Sequence, residues 1–443
     1  MSAVLKVKGL STAIETSSGI VRPLAGVDLE IAPGETFALV GESGCGKSMT
    51  ALTLMRILPE TAAVTAGAVH LQGEELLGLP ESAMRDVRGR RMAMIFQEPG
   101  TSLNPVLTVG RQIEEVLERH TPHRGAAARR RAIELLKSVG IGDAERRIDE
   151  YPFQFSGGMK QRVMIALALA AEPALLVADE PTTALDVTIQ AQVLALLRDL
   201  QQRLGMSILL ITHDLGIVAG MAHRVAVMYA GEIVEVAPRE QFFRAPQHPY
   251  SRKLFEALPE GAKRGAALSV IPGQVPSLAG ELAGCRFAAR CEHATAQCRT
   301  ESPGWTTIAP GHAVRCHLRA VERAPERAAA PVQAAAAPSR AAAPAPLLEV
   351  RNLAVHFPIR KGFLKRVAGH VRAVDGISFD IPAGRTLALV GESGCGKTTA
   401  GKALLQLVPP TAGSVRFDGR DLCTMDASEL RARRKDVPLV CPD

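Results

Sequence analysis

The run Gly41-Glu42-Ser43-Gly44-Cys45-Gly46-Lys47-Ser48 constrains this chain more than any other stretch. It follows the apolar residues Thr36-Phe37-Ala38-Leu39-Val40 and opens a helical pattern. G-x-x-x-x-G-K-[ST] between a strand and a helix is the P-loop, a cradle for nucleotide phosphates. Glycines let the backbone turn its N–H groups toward phosphate oxygens, and the helix contributes its positive end. The spacing puts Lys47 on the β/γ-phosphates and the Ser48 hydroxyl on Mg²⁺, with Gly41, Ser43, Gly44, Cys45, Gly46 and Met49 along the phosphate chain. The pattern returns at 391–398, where Gly391, Gly394, Gly396, Lys397 and Thr398 are the matching ATP-binding positions. Aligning Gly19–Ser48 with Gly369–Thr398 gives 17 identities in 30 positions without a gap, so the chain contains an internal repeat.

At 443 residues there is room for two or three domains. The longest apolar stretch, 163–178, is interrupted by Glu172 and Pro173 and falls short of a membrane span. No apolar signal segment follows Met1, so the expected chain is cytosolic or held at a membrane through a partner. A net charge of +7 is mild for this length and reads as a generic solvated surface, with no nucleic-acid partner expected. The eight cysteines of a cytosolic chain are expected to be thiols or metal ligands.

Further along, Val4–Val7 and Val27–Ile31 read as strands. A helix is expected from Met49 to Leu58, with Leu52, Met55 and Leu58 on its buried face. Met92 to Phe96 reads as a strand delivering Gln97, and helical patterns occupy 108–140. Ser156-Gly157-Gly158 precedes a helix expected over Gln161–Ala171, making a second anion-binding helix start more than 100 residues after the first. One γ-phosphate does not need two such cradles from one domain, so this one is expected to face a different nucleotide. The buried strand Ala174–Ala178 runs into Asp179-Glu180. There Asp179 would hold Mg²⁺ and Glu180 would orient or deprotonate the attacking water. Ile208–Thr212 delivers His213. In open α/β sheets the carboxyl ends of strands carry the ligand site, so Lys47, Asp179, Glu180 and His213 are expected at one edge.

Alone, Gln97 would be a surface residue, His213 a satisfied histidine and the acid pair a helix cap. In this order the segments resemble an ABC ATPase: Gly41–Ser48 as Walker A, Gln97 as Q-loop, Ser156-Gly157-Gly158 as signature, Leu175–Glu180 as Walker B, Ala184-Leu185-Asp186 as D-loop and His213 as switch histidine. Tyr151 to Arg162, Asp179 to Asp186, and His248-Pro249-Tyr250 followed by Pro272-Gly273 and Pro276 resemble the dipeptide/oligopeptide/nickel importer branch. The signature departs from L-S-G-G-Q at Phe155 and Met159. An adenine-stacking aromatic about 25 residues before the P-loop lysine, common in ABC domains, is missing from Ile20–Leu24. The resemblance implies an α/β fold: a P-loop ATPase domain with a mixed sheet core, an antiparallel β subdomain and an α-helical signature subdomain. It implies catalytic roles for Glu180, His213, Gln97 and Asp186, and Mg²⁺ held by Ser48, Gln97 and Asp179.

Cys285, Cys291, Cys298 and Cys316 fall within 32 residues as C-x5-C-x6-C-x17-C, which lacks the paired spacing of zinc ribbons. Four thiols in a segment poor in apolar residues suggest a metal as staple, against the plain reading of packed small hydrophobes. In the importer branch such a quartet lies in a C-terminal extension and in some members holds a [4Fe–4S] cluster. From Val321 to Pro346, 17 of 26 residues are Ala or Pro, a composition for a semi-extended tether. The expected organisation is an ATPase domain over 1–240, the extension over 241–320, the linker over 321–346 and a partial second ABC domain over 347–443. That last part carries no second signature, Walker B or switch histidine. By the alignment Cys441 and Pro442 stand where Phe96 and Gln97 do, and Pro438 falls inside what should be a central strand. With apolar strand edges unpaired, residues 347–443 are expected to be loosely folded.

The reading is the ATPase subunit of an importer for peptides or related small solutes, at the cytoplasmic face of the cell membrane. The resemblance implies two membrane-spanning permease subunits, a second ABC ATPase domain from a homodimer or paralogue, and indirectly an extracytoplasmic solute-binding protein. Two alternatives compete: an inactive or partly active remnant of a tandem ABC ATPase gene, and a soluble ABC ATPase of DNA repair or translation. The latter predicts a long coiled-coil insert or extended basic runs, whereas Arg129–Arg131 is only a short cluster.

Overall fold

The computed structural model describes residues 2–17, 19–183, 185–257, 270–280, 282–318, 346–361, 366–392 and 394–438. The expectations for the Ala/Pro tether, for Ala184 and for Cys441-Pro442 lie outside them, Pro346 excepted. The chain forms two compact units, one built mainly from residues before the tether and one from residues after it.

The first unit begins with β1 (Leu5–Thr16) and β2 (Gly19–Ile31), then β3 (Thr36–Val40), β4 (Ala62–Leu71), β5 (Glu74–Glu75) and β6 (Met92–Ile95). After a helical stretch come β7 (Leu175–Asp179), β8 (Ser207–Thr212), β9 (Arg224–Tyr229), β10 (Glu232–Pro238), β11 (Trp305–Ala309) and β12 (His312–Arg315). Two sheets result, an antiparallel one ordered β2-β1-β4-β5 and a mixed one ordered β11-β12-β10-β9-β3-β8-β7-β6. The central strands β9, β3, β8, β7 and β6 pair in parallel. β3, β7 and β8 are buried at every residue, which is why they read as unbroken apolar runs rather than as alternation. Three cores pack on this sheet: Leu39, Leu54, Val177 and Ile211 in the one shared with the antiparallel sheet, Ile95, Ile165, Ala178 and Leu210 in the one against the helices, and Val40, Tyr229, Tyr250 and Phe287 in a third.

Several boundaries differ from expectation for physical reasons. β2 is much longer than Val27–Ile31, and its Pro23 falls where the register with β1 shifts, between the Val21–Ile14 and Leu24–Thr12 pairs, a position where a missing N–H is tolerated. The helix after the P-loop runs Lys47–Met55 and stops where Arg56 takes a left-handed conformation, so its buried face is Ala51, Leu54 and Met55, with Leu52 and Leu58 only half-buried. The signature helix runs Gly157–Leu169, starting four residues early because Ser156 caps it by accepting from the Met159 N–H at 3.4 Å. The 108–140 pattern is two helices, Val109–His120 and Gly125–Ser138.

Residues 241–318 continue the mixed sheet. β12 pairs with β10 through Glu235–Val314 and Val236–Ala313, and β11 closes the edge. Another crossing ties this segment to β2, where the Arg22 N–H donates to Leu278 O at 2.8 Å beside a Val21–Ala279 bridge.

The second unit is an antiparallel sheet of β13 (Pro346–Lys361), β14 (Arg366–Pro382), β15 (Ala412–Phe417) and β16 (Arg420–Asp421), ordered β14-β13-β15-β16. Val350, Leu353, Val355, Val374, Ala400, Ala403, Val415 and Leu422 form its core. The stretch 386–390, aligned with β3, forms no strand, and Leu387, Leu389 and Val390 are exposed. In the first unit β3 is flanked by β8 and β9, and the described residues of the second unit offer no counterpart to either. Among the described residues the antiparallel part of this unit packs, while the position aligned with β3 carries no strand.

Candidate nucleotide site

Parallel strands deliver their carboxyl ends to one edge, and that edge carries the chemistry. β3 leads into Gly41–Ser48, β7 ends on Asp179 with Glu180 next, and β8 ends on Thr212 before His213. Lys47 is 5% exposed, and its ammonium donates to Gly41 O at 2.8 Å and Glu42 O at 2.9 Å, so it lies across its own loop. Two glycines are sterically required. A Cβ on Gly41 would stand 2.3 Å from Met228 O, and one on Gly46, at φ +109°, would stand 2.5 Å from Pro23 O. Cys45 is buried, and burial pushes its thiol pKa up. Ser43 and Gly44 form the exposed tip, and Met49 packs on the core below.

The Ser48 hydroxyl donates to Asp179 Oδ1 at 3.2 Å. Burial raises the Asp179 pKa, and the Ser48 bond and the Lys47 charge oppose it. A hydroxyl and a carboxylate, hard oxygen donors beside the P-loop, fit Mg²⁺. Glu180 sits at φ +46°, a left-handed conformation that a glutamate adopts only when its surroundings impose it. Its N–H bonds Ile211 O at 2.8 Å, holding it to the neighbouring strand. The carboxylate meets His213 Nδ1 at 3.0 Å, the Thr183 hydroxyl at 2.8 Å and the Gln97 amide at 3.3 Å. Burial works to raise the Glu180 pKa, but the bonds from His213 and Thr183 and the charges of His213 and Lys47 outweigh it, so the group stays below the usual glutamate range. Gln97 presents its amide to Glu180 rather than to Ser48 or Asp179.

The structure thus gathers Lys47, Ser48, Gln97, Asp179, Glu180 and His213. Ser156, Gly157 and Gly158 begin their helix without a hydrogen bond to residues 41–48 among the described residues, and Gln161 ties that helix to Pro181 O at 2.6 Å, just past the acid pair. Asp186 is half-buried immediately before the helix Val187–Leu204. In the second unit Lys397 repeats the loop bonds, to Gly391 O at 2.7 Å and Glu392 O at 2.6 Å, and Gly394 and Gly396 take positive φ. Lys397 is only half-buried, Thr398 is exposed, and no acidic pair accompanies them among the described residues. Thr183, inside the Asp179–Asp186 motif, supports Glu180 directly through its hydroxyl. Tyr250, which stands in the His248-Pro249-Tyr250 motif, and Arg290, which carries no local signal, both bond the P-loop residue Glu42.

Cys285, Cys291, Cys298 and Cys316 line one small pocket with His248, Phe287 and His317. Burial pushes the Cys285 thiol up to about 11 and raises Cys291 and Cys316 as well. Among the described residues no group of three or more His, Cys, Asp or Glu side chains stands where it could hold a metal ion. Cys285 and Cys291 pack against the apolar cluster of this segment, and all four cysteines border the same pocket.

Comparison with known proteins agrees with this geometry. The family profile described as ABC transporter matches residues 24–183 and 374–440. A second, described as the C-terminal region of oligopeptide/dipeptide transporters, matches 234–298. An oligopeptide transport ATP-binding protein of Mycobacterium tuberculosis is 44% identical over 449 residues, covering 100% of this chain and 73% of that protein. A probable peptide ABC transporter ATP-binding protein of Sinorhizobium fredii is 51% identical over 315 residues, 71% of this chain and 94% of that one. A glutathione import ATP-binding protein of Salmonella typhimurium is 42% identical over 447 residues, 99% of this chain and 64% of that protein. The chain belongs to the ATP-binding proteins of ABC transporters, in the branch that carries the oligopeptide/dipeptide C-terminal region.

Proposed function

We propose that this chain hydrolyses ATP to energise import of peptides or related small solutes through a membrane permease. One observation carries the reading: Ser48, Gln97, Asp179, Glu180 and His213, from four distant segments, meet by hydrogen bonds at one sheet edge. Lys47 and the N–H groups of Gly41–Ser48 bind the phosphates, with Met49 extending that helix start. Ser48 and Asp179 hold Mg²⁺ with Gln97 at its margin, and the ion supplies charge neutralisation on the phosphate oxygens when bound. Glu180, ionised at neutral pH, accepts the proton of the attacking water. His213 and Thr183 keep that carboxylate oriented, and Gln97 touches it from the loop that would report to the permease. The helix start at Ser156-Gly157-Gly158 points its free N–H groups at the nucleotide of a second ATPase domain, which a head-to-tail pair would supply, and Asp186 lies at that junction. That partner is a second copy or a paralogous subunit, working with two permease subunits at the cytoplasmic face of the membrane and, through them, with an extracytoplasmic binding protein. No helix among the described residues is long and apolar enough to cross a membrane.

The division into 1–240, 241–320, 321–346 and 347–443 belongs to this proposal, as do nucleotide contacts at Gly391, Gly394, Gly396, Lys397 and Thr398. So does a [4Fe–4S] cluster on Cys285, Cys291, Cys298 and Cys316. Its support is the shared pocket, and it requires the thiols to turn toward a common centre. Anaerobic reconstitution with iron and sulfide tests it by bound iron and sulfide per chain, four of each supporting it and none opposing it. A soluble repair or translation ATPase finds no support in the peptide-transporter region that this chain carries. The remnant reading concerns activity and is decided by assay. ATP turnover by the full chain should require Mg²⁺ and vanish in Lys47→Ala together with nucleotide binding; turnover unaffected by Lys47→Ala would refute the site.

A further inference from the structure

The P-loop is not held by the nucleotide core alone. Glu42, its second residue, uses three polar groups at once. Its carboxylate takes both ends of the Arg290 guanidinium, Oε2 from Nη1 at 2.7 Å and Oε1 from Nη2 at 3.0 Å. Its N–H donates to the Tyr250 hydroxyl at 2.8 Å. Its carbonyl accepts from the Lys47 ammonium at 2.9 Å. The first two partners come from the segment that follows the ATPase core, more than 200 residues away in sequence.

Arg290 is pinned on every side. Its side chain is 5% exposed, and it also donates to Pro272 O at 2.9 Å, Ile271 O at 3.2 Å and the Tyr229 hydroxyl at 3.3 Å. Tyr250 packs edge-on to Tyr229 and against Phe287, so neither partner of Glu42 can drift with solvent. A second tether runs in parallel: Arg286 bonds Ala230 O and Glu232, and the Gly231 N–H beside them donates to Cys45 O at 2.8 Å. A planar bidentate pair fixes orientation as well as distance. Because one residue links Arg290 to Lys47, a shift of Glu42 moves the carbonyl that places the ammonium.

We infer that Arg290 is a positioning residue for ATP: acting through Glu42, it sets the P-loop lysine, and the segment after the core thereby governs nucleotide affinity. The second P-loop makes the same lysine bonds, while among the described residues nothing bonds the Glu392 carboxylate. Closure of the loop therefore does not need the brace, and its removal leaves a formed but less well-placed cradle. This inference rests on residues 41–48 being the nucleotide site.

The test uses the full chain, ATP turnover and direct binding of a fluorescent ATP analogue. Arg290→Met and Glu42→Gln should each raise the KM for ATP and the analogue's Kd about tenfold, equivalent to about 1.4 kcal/mol, with kcat little changed. The double variant should be no worse than either single one, since both remove one interaction. Arg290→Lys should recover part of the affinity, and Tyr250→Phe should lose part of it. Lys253→Met breaks an ion pair of the same segment, with Glu292, that does not touch the P-loop, and should leave KM unchanged. Affinities of Arg290→Met and Glu42→Gln equal to wild type, additive losses in the double variant, or an equal KM shift in Lys253→Met would overturn the inference. Lys47→Ala separates the two levels: retained binding there would sink the site itself, whereas lost binding there with unchanged Arg290→Met sinks only the brace.

Discussion

Glu235 offers the sharpest stability test of how the segment after the core is fastened. It is fully buried on β10, and its carboxylate accepts from three donors, each at 2.8 Å: the His312 ring on β12 and the backbone N–H groups of Gln247 and His248. A carboxylate only accepts, so His312 Nε2 carries the proton. Glu235→Ala strands all three donors where water does not reach. Three stranded donors at about 1–3 kcal/mol each, or one broken buried pair at about 3–5 kcal/mol, put the expected loss at about 3 kcal/mol or more. The control Glu240→Ala, at an 87% exposed side chain, should stay within about 0.5 kcal/mol. The chain has one tryptophan, Trp305 on β11, which pairs with the strand bearing His312, so urea denaturation followed by tryptophan fluorescence reports this region. The pH dependence has a fixed sign. Burial alone would raise the Glu235 pKa, but the His312 bond and the two backbone N–H groups hold it below the ordinary value. A carboxylate depressed on folding gives its full stabilisation above the unfolded pKa, about 4.3, and loses it as pH falls through the folded value. The part of the gap between wild type and Glu235→Ala that this carboxylate supplies should therefore be complete above about 4.3 and close below it. A Glu235→Ala loss no larger than that of Glu240→Ala, or a gap that persists unchanged at acid pH, would refute this reasoning.

Gly46→Ala should abolish the thermal stabilisation by ATP, because its Cβ meets Pro23 O and φ +109° costs an L-residue on the order of 1–3 kcal/mol; a wild-type ATP-induced shift would contradict this. His213→Ala removes the 3.0 Å contact to Glu180 and should lower kcat about 100-fold while ATP still binds, measured by turnover and equilibrium binding. Of the two aligned segments, limited proteolysis should cut near Leu387–Val390, which is exposed and outside any strand, before it cuts the fully buried β3; equal resistance of the two segments would oppose that view.

What could be read from the chain was whatever is local and periodic. The strands β3, β7 and β8 were legible because parallel central strands are apolar at every residue, and the site residues because each stands at the end of one. Helix starts were less legible: Gly157 and Gly158 look like loop until the Ser156 cap shows that the helix includes them. The length of β2 was hidden by Pro23, whose tolerance depends on a register irregularity that only the strand pairing reveals. The left-handed backbone of Glu180 has no signature, since glutamate does not favour it. The Arg290–Glu42 pair spans 248 positions and follows no motif, so only the folded chain brings it into view.

The central claim is that Glu180, placed by Gln97, Thr183 and His213 beside the Ser48–Asp179 pair, is the group that activates water for ATP hydrolysis. Its direct test is Glu180→Gln in the full chain, with ATP binding and phosphate release measured on the same sample. The amide keeps the shape but cannot take a proton, so binding should persist at wild-type affinity while phosphate release falls by about 100-fold or more. Phosphate release at the wild-type rate, with binding intact, would contradict the account.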